Sequence, residues 1–102
     1  TLMIIYEITA AVRADLIESY EKYMRETHIP DLLETGCFNG TFFTRASETR
    51  YRIQYHAHSQ KALDEYLQTH ATRLREDFAK HFPDGVEVSR ENWEILQSWN
   101  KK

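Results

Sequence analysis

Arg50-Tyr51-Arg52-Ile53-Gln54-Tyr55-His56-Ala57-His58 alternates apolar and polar side chains throughout, which is the period of a β-strand with two unlike faces. Tyr51, Ile53, Tyr55 and Ala57 form an apolar row suited to packing under helices. Arg52, Gln54, His56 and His58 point the other way, because successive side chains alternate across a strand. That polar row is the first candidate for a binding surface.

Upstream, Phe38 to Ala46 reads as a strand with Phe42 and Phe43 on opposite faces, and Ser47-Glu48-Thr49 is a polar hairpin joining it to the alternating stretch. Downstream, Ser59 caps a helix whose apolar stripe is Leu63, Tyr66, Leu67, His70, Leu74 and Phe78. This helix ends near His81-Phe82, where Pro83-Asp84-Gly85 supplies a turn. Val86-Glu87-Val88 opens a last extended segment that continues through Trp93, Ile95 and Leu96 to Trp99.

Nearer the start, Leu2 to Ala10 is β-branched and aromatic, with Ile4, Tyr6 and Ile8 on one side and Met3 and Ile5 on the other. Glu7 and Thr9 share the face of Met3 and Ile5. Met3 is read as the natural start, with Thr1-Leu2 ahead of it. A helix follows, with Asp15 as N-cap and Glu18 three positions on to complete a capping box. Its stripe is Leu16, Tyr20, Tyr23 and Met24, with Ile17 alongside. Pro30 disfavours helical geometry at Ile29, so a break is expected near Thr27-His28-Ile29, before a short piece over Asp31-Leu32-Leu33-Glu34 that ends at Gly36.

Strand, helix, strand, strand, helix, strand is the α+β ferredoxin-like βαββαβ plan, an antiparallel sheet with its helices on one face. Right-handed crossovers place the first and third strands side by side at the centre, and parallel pairing of these two is expected. The open face then carries Met3, Ile5, Phe43 and Trp93. An apolar patch of that kind calls for a partner, and a second copy stacked sheet on sheet would cover it.

A chain of 102 residues is read as one domain, 1–102. It is 41% hydrophobic and 28% charged, and no segment reaches the roughly 18 consecutive apolar residues of a membrane span. A net charge of −3 and a pI near 5.9 leave no basic footprint for nucleic acid. Arg73 and Arg75, beside Glu76 and Asp77, read as a solvated helix face. The single cysteine, Cys37, excludes an internal disulfide, fits a reducing cytoplasm, and reads as a small buried hydrophobe after Gly36. Neither a signal peptide nor a phosphate-cradling Gly-rich loop is recognisable, so the expectation is cytoplasmic and cofactor-free. Asn39-Gly40-Thr41 is an accidental glycosylation match without a secretory route.

Met3-Ile4-Ile5-Tyr6-Glu7, His28-Ile29-Pro30-Asp31-Leu32-Leu33 with Gly36-Cys37-Phe38, Arg52-Ile53-Gln54-Tyr55, and Tyr66-Leu67 with His70-Ala71 and Leu74-Arg75 resemble a known group. The chain is similar over nearly its whole length to domain-of-unknown-function family 4286, within the dimeric α/β-barrel superfamily. The resemblance implies a homodimer and no assigned activity. The superfamily is similar in plan to antibiotic-biosynthesis monooxygenases, heme-degrading enzymes, muconolactone isomerases and stress-responsive barrels. No residue-by-residue match to a catalytic set of these is present.

The candidate ligand-binding residues are Glu7, Arg52, Gln54, His56, His28 and His70. Glu7 with His56 could do acid–base work, since a carboxylate orients an imidazole that titrates near neutrality, and Arg52 could hold a carboxylate. The alternative is a hydrogen-bonded polar network inside a dimer. Glu7, Arg52, Gln54 and His56 are expected to cluster on the face away from the helices, with Asn39 or Thr41 near its edge. His70 lies on an apolar stripe and His28 just before Pro30, where a core role or backbone contacts compete with a ligand contact at the barrel mouth. No metal site is expected: His56 and His58 share a strand face, but no third ligand is evident.

Two functions follow. One is a homodimer, paired through its sheet faces, that binds a small molecule or is purely structural, with no nucleic-acid or membrane partner. The other is a cofactor-independent monooxygenase- or isomerase-like enzyme acting on a small aromatic or lactone-like molecule.

Overall fold

The structure, a computed structural model, describes residues 3–101. Strands β1 (Ile4–Val12), β2 (Phe38–Ser47), β3 (Arg50–Ala57) and β4 (Val86–Glu94) form one sheet in the order β2-β3-β1-β4. Helices α1 (Ile17–Tyr23), α2 (Ile29–Glu34), α3 (Gln60–Thr69) and α4 (Ala71–His81) complete the ferredoxin-like fold. Leu2, where the reading above begins the first strand, lies with Thr1 outside the described residues.

The alternating stretch is β3, and its burial follows the alternation: Tyr51, Ile53, Tyr55 and Ala57 are all buried. They join Ile4, Tyr6, Ala10 and Val12 of β1 in a core roofed by Tyr20, Leu32, Leu63, Tyr66 and Leu74. Aromatic contacts dominate it, with Tyr6 and Phe38 stacked at 6.1 Å between centroids and Tyr20 against Tyr51 at 5.0 Å.

β1 and β3 run antiparallel, with Glu7 opposite Gln54, and not parallel as expected. The helical crossover makes β2 parallel to β1, and the tight Glu48-Thr49 turn reverses the chain, so β3 must oppose both. Phe43 belongs to the helix side, stacked 5.6 Å from Tyr51, and Phe42 takes the open face. A β-bulge between Phe38 and Gly40 shifts the register of β2, and it also turns Thr41 to the helix side, opposite Tyr55.

Pro30 does not break the helix. The chain widens into a π-helix over Met24–His28, with the Ile29 N–H reaching the Met24 carbonyl, and Pro30 then occupies the first turn of α2, where its missing N–H costs little. Asp15 is not a cap: a 3₁₀ turn over Ala14–Leu16 precedes α1, and Arg13 Nε donates to Asp15 at 2.6 Å instead. Ser59 Oγ does cap α3, accepting from the Ala62 N–H at 3.2 Å. The helix predicted through residue 81 is divided at His70, where φ is −119° and ψ −31°. β4 ends at Glu94, earlier than expected, and Leu96 and Trp99 beyond it are exposed. Gly85 has φ +85°, a conformation that residues with side chains rarely adopt, and a Cβ there would also push the Leu16 side chain aside, so the turn into β4 favours glycine.

Candidate functional site

Two groups of polar residues emerge, one on each face of the sheet. On the open face Glu7 is an acceptor hub. Gln54 Nε2 donates to its Oε1 at 3.0 Å, Trp93 Nε1 donates to its Oε2 at 3.3 Å, and Arg52 Nε lies 3.5 Å from Oε1. Register produces this cluster, since Gln54 stands directly opposite Glu7 on β3 and Trp93 reaches across from β4. Only 12% of the Glu7 side chain is exposed, against 54% for Arg52, so the carboxylate sits under its partners.

His56 shares the face without joining the hub. It stands opposite Ile5, two residue pairs along and so on the same face, with its ring edge-on to Phe42 at 5.2 Å. The expected acid–base pairing of Glu7 with His56 is therefore not formed; Gln54 and Trp93 occupy the carboxylate. His58 Nδ1 is 3.3 Å from Asn39 Nδ2, at the strand end. Met3, Phe42 and Trp93 leave apolar surface exposed around this row.

The second group lies between helices and sheet. No residue of β4 is buried, whereas β1 and β3 bury one face under the helices, so the inner side of β4 lies at the edge of the helical layer. A cavity of about 60 Å³ lies there, several times the 10–15 Å³ that one water needs. Its walls include Tyr6, Ile8, His28, Tyr55, Tyr66, Phe78, Arg75 and Arg90.

His28 comes from the π-helical turn, its ring packed on Phe78 at 5.3 Å and Tyr23 at 5.9 Å. Its Nδ1 and the Tyr55 hydroxyl are buried without a hydrogen-bond partner among the described residues. The expectation that His28 would bond freed backbone groups does not hold for this nitrogen. Tyr6 is engaged: Arg75 Nη2 donates to its hydroxyl at 2.9 Å, so Arg75 is not the purely solvated residue that its neighbours in the sequence imply.

Protonation follows from burial. Desolvation, reinforced by the Arg90 charge and opposed by Asp77, pulls the His28 pKa down to about 4, so the ring is neutral at pH 7. Desolvation also raises Tyr55 well above the usual phenol range, with Tyr66, Tyr20 and Tyr6 adding to the effect, and it raises Tyr66. These hydroxyls remain donors at any physiological pH. The cavity thus offers an aromatic wall, a neutral imidazole, phenol donors and two guanidinium groups.

The structure brings Glu7, Arg52 and Gln54 together, leaves His56 beside them, and puts His28 across the sheet in the cavity. His70 joins neither group; it stacks on Tyr66 at the α3–α4 joint, 6.4 Å between ring centroids. The reading of the sequence missed Tyr55, Tyr6, Arg75 and Arg90 as cavity residues. One signal was available: a core built on tyrosine rather than phenylalanine carries hydroxyls that need partners.

Among solved structures the chain is similar to a dimeric ferredoxin-like protein from an uncultured marine organism, with 8% identity and a TM-score of 0.72 over 97% of this chain and 100% of that one. A candidate antibiotic biosynthesis monooxygenase from Nitrosomonas europaea has 13% identity and a TM-score of 0.72, covering 92% of this chain and 90% of its own. The heme-degrader MhuD from Mycobacterium tuberculosis, with two hemes bound in its active site, has 16% identity and a TM-score of 0.64, over 95% and 99%. Such identities speak for the fold alone. No curated protein sequence matches the chain. The profile of a family described as a domain of unknown function, DUF4286, matches residues 3–96.

Proposed function

This chain belongs to the DUF4286 family, and from that premise we propose that it is a cytoplasmic homodimer, paired through its open sheet faces, that binds a small planar molecule bearing an acid or carbonyl group. The ligand places its polar end in the cavity between the helices and β4, whose volume of about 60 Å³ is less than the roughly 150 Å³ that encloses a benzene ring, and its flat body lies in the opening beside β4. The observation that carries this reading is the pair of unpartnered buried atoms, His28 Nδ1 and Tyr55 hydroxyl, on one cavity. Buried polar groups without partners are costly, and a ligand in this cavity would supply the bonds that His28 and Tyr55 lack. Arg75 and Arg90 favour a negatively charged end, and Tyr6, Tyr66 and Phe78 favour a flat apolar body.

A binding role is preferred over catalysis because an imidazole that titrates near pH 4 is a weak base at neutral pH. The second reading, a cofactor-independent monooxygenase- or isomerase-like enzyme, draws on the neutral imidazole beside a phenol donor, which together could shuttle a proton on a small aromatic or lactone-like substrate.

The test is a calorimetric screen of small aromatic acids against the wild type and Tyr55→Phe. Removing the hydroxyl should weaken the best ligand about 10-fold, while stability stays level or rises by about 1 kcal/mol, because an unpartnered buried group is lost. Unchanged affinity with lowered stability would mean that the hydroxyl serves the fold.

A further inference from the structure

Three potential metal-ligand atoms converge away from both sites: the side chains of Cys37, Glu65 and His70 place their ligand atoms within 4.8 Å of one another. We propose that they form a Zn²⁺ site with an open fourth position. Each is presented by a different local device. Cys37 follows Gly36, whose φ of +78° turns the chain sharply out of α2, and its N–H donates to Thr35 Oγ1 at 3.3 Å, which fixes the turn. Glu65 and His70 are five residues apart, so on one continuous helix they would point about 140° away from each other, at 3.6 residues per turn. The irregular backbone at His70 removes that obstacle: its N–H still bonds the Tyr66 carbonyl at 2.9 Å, but its φ of −119° swings the side chain out of helical phase.

A thiolate, an imidazole and a carboxylate are the donor types that zinc takes together, and three protein ligands leave one tetrahedral position for water or a ligand atom. Zinc–ligand lengths of about 2.0–2.3 Å imply donor separations of about 3.3–3.7 Å. The group therefore has to contract by at most about 1 Å, and Glu65, exposed at the rim, has the freedom to do so. Cys37 is 3% exposed and supplies the inner ligand; its thiol, now donating to the Thr35 carbonyl at 3.9 Å, gives up its proton on binding. The ion would then tie the start of β2 to the α3–α4 joint.

The experiment uses the full chain without an affinity tag. Zn²⁺ is titrated by calorimetry in two buffers of different ionisation enthalpy, and Co²⁺ is followed by absorption. One ion per protomer, a micromolar or tighter Kd, release of a proton, and a thiolate-to-cobalt charge-transfer band are expected. Glu65→Gln and His70→Gln should each weaken Zn²⁺ binding at least 10-fold, and Cys37→Ser should remove the cobalt band, while His81→Gln changes nothing. Absence of the band in the wild type, or wild-type affinity in both Glu65→Gln and His70→Gln, overturns the proposal. Should Cys37→Ser fail to fold, these two partly exposed positions still decide it.

Discussion

His28 sets the pH dependence of this protein. Its imidazole titrates near 4 in the folded chain and near 6.5 when solvated, so between those values the unfolded state holds more protons. Stability is complete above about pH 6.5 and is lost as pH falls through that window. The expected loss between pH 7.5 and 5 is about 2 kcal/mol. Carboxylates do not confuse the measurement: Glu21, held down chiefly by the Tyr51 hydroxyl, and Asp15, held down by Arg13, have folded values below their ordinary ones and act only at lower pH. Urea unfolding at the two pH values checks this, and His28→Gln should flatten the difference. Binding of a carboxylate ligand beside His28 should, by the same linkage, take up a proton and tighten as pH falls.

At the scale of elements, the π-helical turn is the part that builds the cavity. Met24 on its near side and Ile29 and Leu32 beyond it are all buried, so the core holds both flanks while the wider turn between them carries His28. A π-turn amounts to one extra residue in an α-helix, and such turns recur at functional sites. Deleting the exposed Thr27 should restore α-helical geometry with both flanks in register, at no more than about 2 kcal/mol of destabilisation. Ligand binding should be lost at the same time, because His28 leaves its position against Phe78 and Tyr23. Circular dichroism melts and calorimetry on this deletion separate the two effects; retained binding would mean that the turn is incidental.

As a whole the described chain is a slab, 41 × 34 × 21 Å, whose thin dimension is one sheet plus one helical layer. Its radius of gyration, 14.1 Å, exceeds the roughly 13 Å of a compact domain this size, as a slab with an uncovered face should. Met3, Phe42 and Trp93 lie exposed on that face around the Glu7 hub. A second copy stacked there would bury both, leaving the hub satisfied by Gln54, Trp93 and Arg52. Phe42→Asp places an unpaired charge in that interface and should raise the dimer Kd at least 100-fold, about 3 kcal/mol. Size exclusion with light scattering at micromolar concentration reads it directly, and a wild type that runs as a monomer would sink the stacked dimer.

Alternation in β1 and β3 and the βαββαβ order were enough to determine the fold and the faces of these two strands from sequence, because burial selects the period of side chains locally. Phe42 and Phe43 were beyond that reach: adjacent aromatics suit either face, and the bulge that assigns them is a property of pairing with β3. Pro30 advertised a disturbance, but only packing on both flanks decided that the helix would widen rather than break. Tyr55 was legible as core and not as a cavity residue, since whether a buried hydroxyl finds a partner depends on groups far away in the chain. Glu65 and His70 stand out of phase in any helical reading, and the bend that reunites them beside Cys37 exists only once α3 and α4 pack separately on the sheet. Short-range chemistry is written along the chain; the meeting of distant polar groups is decided by register, bulges and bends that the folded whole imposes.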